Sequence, residues 1–490
     1  MFRNWTITAA TLAVMAAPAF AAQDSITLGM VLEPPSLDPT GNAAAAIDEV
    51  VYANIFEGLT RFGPDGAILP ALAASWDIED EGKTYIFHLH EGVRFHDGSD
   101  FTADDVVFSL DRARAPDSVN AQKALFEGIE TVEAVSPTTV RVTLGAPDGM
   151  FPFKMAWGDA VMLSEGSVAD LATKPVGTGP FKFAEWRQGD SIRLEAFADY
   201  WGEKPALQSA TFRFIGDPTA AFAAMMAGDV DAFPIYPAPE TLAQLEADPR
   251  FKVIVGTTEG ETILTMNKAV PPLDDIRVRQ AIAHAINRQD LIDGAMFGYG
   301  TPIGTHFAPH HPDYVDLTAQ SAHDPARAQS LLAEAGADNL SLRLALPPTP
   351  YARRGGELLA AQLRAVGINT AVTNMEWAQW LETVFTNKDY DLTIISHVEP
   401  MDIGIYARDD YYFNYNNEAL KAALAEANTT TDDARRSELL KQAQTIIADD
   451  FANAYLFQLA KTGVADARIE GLWENAPTPA NDLSRVRWTD

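Results

Sequence analysis

Cysteine is absent from the 490 residues. That excludes a disulfide framework and a thiol for lipid anchoring. Positive charge is scarce, with 36 Lys and Arg against 68 Asp and Glu and a net charge of −32. Such a balance argues against nucleic acid and anionic membrane surfaces as partners. Long apolar runs are missing except at the N-terminus, and that one falls short of the roughly 20 residues a spanning helix needs. No G-x-S-x-G elbow and no phosphate-cradling glycine loop occurs. In "GTGPF" (177–181) Pro180 blocks the helix start that phosphate binding requires, so the segment is expected to be a turn. Internal repeats and low-complexity tracts are also lacking.

What is present begins with an export signal. Arg3 is followed by the apolar stretch 6–20, and Ala19-Phe20-Ala21 fits a small-residue cleavage site, so residues 1–21 read as a signal peptide. Removing them takes away Arg3 and no acid, leaving −33. A large exported chain without cysteine points to a bacterial periplasm. Hydrophobic residues make up 47% of the chain, enough for a large core.

Strand and helix signals follow along the chain. Residues 26–32 read as a strand ending in a proline-rich turn; if that strand joins a neighbouring sheet, Glu33 is expected to face the same ligand cleft as the loops after strands 340–346 and 391–396 and is a candidate ligand-binding residue. Thr102 with Asp105 makes a helix-opening capping box. Asp324, Pro325 and Gly336 bracket another helix. Strand 340–346, helix 351–367, strand 368–374, helix 376–388 and strand 391–396 form a β-α-β-α-β run, hence a parallel sheet with helical crossovers. Ligands bind beyond the carboxyl ends of such strands.

Two loops leave that edge, and they hold the candidate residues. The first carries Arg353 and Arg354 at a helix start, a place that suits an anion. Trp377 opens the next helix as a flat wall. The second loop, "SHVEPMDIGIY" (396–406), carries His397, Glu399, Asp402 and Tyr406. Glu399 and Asp402 are expected to meet a cationic or hydrogen-bond-donating group, with Tyr406 and Trp377 as aromatic walls. Residues 409–415 are expected to form a surface turn or lid. "FHLHEGVRFH" (87–96) misses zinc-protease spacing, and "THFAPHHPD" (305–313) reads as a surface loop, so no metal ligand and no cofactor are assigned.

Segments "LAASWDIEDEGKTYIFHLHEGVRFHDGSDFTADDVVFSL" (72–110), "GTGPFKF" (177–183), "YWGEKP" (200–205), "GDVDA" (228–232), "DDIRVRQAIAHAINRQDLI" (274–292) and the 351–377 region resemble, in order, the extracytoplasmic solute-binding proteins of ABC importers, in the family of dipeptide-, oligopeptide- and nickel-binding proteins. The resemblance implies a two-lobed α/β fold closing on a ligand. It implies a discontinuous first lobe (22–45, 175–265, 470–490), an extra domain (46–174) packed on it and a second lobe (266–469). It further implies a monomer that binds a peptide-like or other small polar solute and delivers it to a membrane permease driven by a cytoplasmic ATPase, without catalysis. The alternatives are a periplasmic hydrolase and a nickel-type chelate binder, for which His397 is the candidate contact. Peptide-binding members place an arginine upstream in the 347–354 loop; here that stretch is "LALPPTP". They also carry an aspartate in a longer loop where this chain has "SHVEPMD".

Overall fold

The computed structural model describes residues 23–41 and 44–489. The expected signal peptide lies outside them. Among the described residues no helix is long and apolar enough to cross a membrane.

An eleven-stranded sheet runs through both lobes. In the first lobe, Ser25–Met30 lies parallel to Ser209–Phe214 and to Ala232–Phe233. Strands Ser191–Ala196 and Phe181–Arg187 extend the sheet antiparallel. In the second, Ser341–Leu346 lies parallel to Asn369–Asn374 and to Leu392–His397, the arrangement expected of the β-α-β-α-β run. Leu392–His397 is buried almost throughout because helices cover both faces of a parallel sheet. Helix Pro350–Ala365 presses Gly356 onto strand Ser341–Leu346: a Cβ there would lie 2.3 Å from Leu346 Cδ1. The segment after Trp377 is one helical turn followed by a π-helical turn, Leu381–Thr386, rather than a continuous α-helix.

A separate antiparallel sheet of four strands, Ala73–Glu79, Thr84–Leu89, Thr139–Leu144 and Ile129–Ser136, packs with helix Ala103–Arg114 around its own core. Thr102 and Asp105 cap that helix reciprocally. Helix Pro325–Ala335 opens on the Asp324 carboxylate and closes on Gly336 in the left-handed conformation.

The lobes are joined by two long antiparallel strands, Phe251–Met266 and Ala454–Asp466. Their register shifts between Thr257 and Glu261, so that 258–260 bulge opposite Leu459. Such a bulge bends a strand pair. On one side of it the pair continues the first lobe through Ala232↔Ala465; on the other it continues the second through Glu261↔His397. The crossings expected at 265/266 and 469/470 lie beyond this bend on both strands. From the second crossing strand the tail returns to the first lobe: Trp488 Nε1 donates to Ser25 O at 2.8 Å, and Leu483 N to Asn54 Oδ1 at 3.0 Å. Asn54 falls in the segment expected to be the extra domain, but its neighbours Val50, Val51, Ile55 and Phe56 pack in the first-lobe core instead.

Candidate functional site

Both parallel edges abut the bend. On the first lobe the carboxyl ends of Ser25–Met30 and Ala232–Phe233 lead into 31–35 and 234–235, and Tyr236 N donates to Thr462 O at 2.7 Å. On the second, Leu392–His397 ends beside Glu261. The two edges therefore flank one hinge, and each carries exposed apolar side chains: Leu32 (66%) and Ile235 (43%) on the first, Trp377 (44%) and Val398 (56%) on the second. Large apolar groups left in water on two flanking edges mark a surface awaiting a partner.

The first edge holds a cavity of about 370 Å³ lined by Met30, Leu32, Glu33, Glu49, Ile235, Asn481 and their neighbours. Glu33, singled out from its strand end, lies in this wall. Its Oε1 accepts hydrogen bonds from Trp186 Nε1 (2.9 Å) and Gly189 N (3.0 Å). Glu49 has no such partner for its carboxylate among the described residues, and sequence reasoning missed it. It reads as one more acid on a short helix, Ala45–Val51.

At the second edge the candidates separate. His397 ends its strand, and its Nδ1 faces Asp402 Oδ2 at 3.4 Å. Its Nε2 meets the Tyr412 hydroxyl at 3.3 Å. Asp402 turns inward, where its Oδ1 accepts from His306 Nε2 at 2.5 Å. Opposite, His306 Nδ1 faces Glu261 Oε1 at 3.4 Å, and both side chains are buried. Burial, then the Asp402 charge, pushes the Glu261 carboxyl well above its usual range. Burial would also raise Asp402, but His306 and His397 outweigh it and hold Asp402 below the carboxylate range.

Several expectations are corrected here. Tyr406 is no cleft wall in this structure. It is fully buried, its hydroxyl accepts from Asn453 Nδ2 (3.0 Å) and Tyr455 OH (2.9 Å), and its ring stands edge-on to His306 at 5.2 Å. Met401 adopts the left-handed conformation, and the 3₁₀ turn Asp402–Ala407 carries Tyr406 back into the core. Tyr411, Tyr412, Phe413 and Tyr415 are core residues as well, not a surface turn. "THFAPHHPD" is no surface loop either: His306 is buried, and His310 is clamped between Glu259 Oε1 (2.7 Å) and Thr257 Oγ1 (2.6 Å) of the crossing strand. Arg354 does not lie free for an anion, since its guanidinium stacks on Phe297 at 4.7 Å. Arg353 pairs with Glu376 at 2.9 Å. Glu399 stays exposed, accepting only Val398 N at 3.2 Å, and Trp377 stands edge-on to Trp380. The histidines of 87–96 diverge: His88 pairs with Asp77, His90 packs on Trp201, and His96 lies against Gly179 O.

The buried acids set a pH dependence. Burial lifts Glu49 and Asp159 to about 7. A raised carboxyl stabilises the fold below its unfolded value, near 4, and loses that contribution as pH rises through 7. Burial lowers His96 to about 4, which acts oppositely between 6.5 and 4. Burial lowers His90 and His311 too, but the raised carboxyls outnumber the three histidines, with Glu261, Asp48 and Glu57 adding to their side. Urea midpoints are therefore expected to rise as pH falls from 8 to about 5. A flat or inverse profile contradicts this account.

The chain matches, over residues 67–402, the model for bacterial extracellular solute-binding proteins, family 5, middle region. It is 32% identical to the glutathione-binding protein GsiB of Pectobacterium atrosepticum, covering 91% of each chain. It is 29% identical to the dipeptide-binding protein of Escherichia coli, covering 78% of this chain and 79% of that one. Among solved structures it is similar to HbpA2 of Haemophilus parasuis (TM-score 0.87, 23% identity, 95% and 100% coverage). It is similar to the murein tripeptide binding protein MppA in an unliganded open form (0.86, 21%, 96% and 98%). A peptide complex of the Helicobacter pylori binding protein DppA gives 0.73 at 25% identity, with 96% and 99% coverage.

Proposed function

The chain belongs to the bacterial extracellular solute-binding proteins of family 5 and is the solute-binding component of an ABC importer; from that premise we propose that its solute is peptide-like, or another small polar molecule with an apolar body, and that it is handed to a membrane permease coupled to a cytoplasmic ATPase. The observation that carries this reading is the pair of exposed apolar edges, each with a carboxylate, on either side of one bulged hinge. Closure about the bend would desolvate Leu32, Ile235, Trp377 and Val398 together around the solute. The closer superposition on an unliganded open relative than on a peptide complex supports reading the half-sites as parted. The glutathione and dipeptide binders among its relatives support a peptide-like solute. Mass spectrometry of the solute that copurifies tests the class, and turnover of that solute would overturn the binding role in favour of hydrolysis.

Glu399 is the carboxylate of the second edge left for the ligand. Glu399→Gln is expected to cost about 1.5–3 kcal/mol of binding in calorimetric titration of the copurified solute, with the urea midpoint unmoved. Unchanged affinity removes Glu399 from the site. A second reading has its own observation: donor atoms of His397, Glu399 and Asp402 lie within 4.8 Å of one another. Their types suit a chelated divalent metal as cargo, and metal analysis of the same copurified material distinguishes it.

A further inference from the structure

We infer that the cavity on the first lobe is a subsite for an organic cation, an aliphatic ammonium or guanidinium on an apolar stem, and that Glu49 receives it. The inference rests on the peptide-like reading and names one chemical feature of the solute. Among the described residues that line this cavity there is no lysine, arginine or histidine, but there are two carboxylates, Glu33 and Glu49. The rest of the wall is mostly apolar, with Met30, Leu32 and Ile235 prominent. Glu33 is half engaged by Trp186 and Gly189. Glu49 makes no hydrogen bond or ion pair through its carboxylate among the described residues; Asn481 Nδ2 binds its backbone oxygen at 3.0 Å and so fixes the helix without touching the acid. Lys461 acts on it from a distance while donating its own proton to Trp473 O.

An unpaired, partly buried carboxylate is costly, and burial accordingly pushes the Glu49 carboxyl above its usual range. A ligand cation removes it. The volume, about 370 Å³, falls in the range of small-molecule pockets and far exceeds a bare ion. A hard metal ion would need several converging oxygens, whereas these walls are chiefly aliphatic. A long side chain with a charged tip matches them: methylenes against Leu32 and Ile235, the tip against Glu49.

Matched dipeptides test this on the full mature chain: Ala-Lys against Ala-norleucine, and Ala-Arg against Ala-citrulline, by calorimetry. The charged member of each pair is expected to bind at least tenfold more tightly. Glu49→Gln should bring the ratio to within about twofold, through loss of affinity for the charged member. Leu32→Lys, which puts a cation at the exposed rim, should lower the ratio in the same direction without altering Glu49. Equal binding of both members, or an undiminished ratio in Glu49→Gln, overturns the subsite. If none of the four dipeptides binds, the peptide-like reading fails, and agmatine and cadaverine alone then decide the subsite. Saturable binding abolished by Glu49→Gln supports it, and no binding of either amine overturns it.

Discussion

Asp402→Asn is expected to lower the unfolding free energy by about 2–3 kcal/mol, the scale of a charged hydrogen bond lost with its partner left buried. The carboxylate takes the His306 Nε2 proton at 2.5 Å and faces His397 Nδ1 at 3.4 Å. An amide keeps the shape but not the charge. His306 is then left between a weak acceptor and the buried Glu261 acid. The pH dependence separates this role from a generic defect. The Asp402 carboxyl is depressed in the fold, so its contribution is present above the unfolded value near 4 and is lost as pH falls below it. The gap between native and variant proteins, in urea unfolding, should therefore be full at pH 6 and narrow below pH 4. Glu399→Gln, three residues away, should do the reverse, weakening ligand and sparing the fold. An unmoved midpoint in Asp402→Asn together with lost ligand binding would return Asp402 to the cleft.

Gly177→Ala is expected to cost about 3 kcal/mol or more, at or beyond the upper end of overpacking in a filled interior. "GTGPF" threads between residues 54–55 and His96. Gly179 N donates to Ile55 O and Phe181 N to Asn54 O, each at 2.9 Å, while His96 N donates to Gly177 O at 2.9 Å. A Cβ on Gly177 would stand 2.0 Å from Ile55 O, and one on Gly179 2.4 Å from Asn54 O. Both obstacles are backbone atoms, so no rotamer change relieves them. The two segments must part, and with them the bonds that fasten the extra domain's His96 to the first lobe. Gly128→Ala is the control, because a Cβ there meets nothing within 4 Å and the change should stay within about 0.5 kcal/mol. A Gly177→Ala protein with the native thermal midpoint would show that this passage is looser than its geometry.

The capped helices at Thr102 and Asp324 and the parallel run from 341 to 397 were legible because each depends on neighbours a few residues apart. A helix cap needs three positions, a strand a period of two, and a β-α-β unit only their succession. The carboxyl edge followed from that succession, and with it the placement of Trp377 and Glu399. His306 was not legible. Its partner Asp402 lies 96 residues on, and no local pattern distinguishes a buried histidine from a loop one. Nor was the run Tyr411–Tyr415, whose rings pack on Trp380, Phe385, Tyr390 and Tyr406, residues with no local pattern that joins them to it. Glu49 left no signal, because its isolation is a property of the cavity rather than of its helix.

By itself, then, the sequence determined the main elements, their order and the carboxyl edge at which the ligand site is proposed, since those follow from short-range periodicity and chain connectivity. The tertiary structure alone decided which acids remain available there. Glu399 and Asp402 flank the same proline and are chemically alike, yet one faces solvent and the other is neutralised inside. The left-handed turn at Met401 reverses the chain between them, and His306, brought from a distant segment, makes the inward position the more favourable home for a charge.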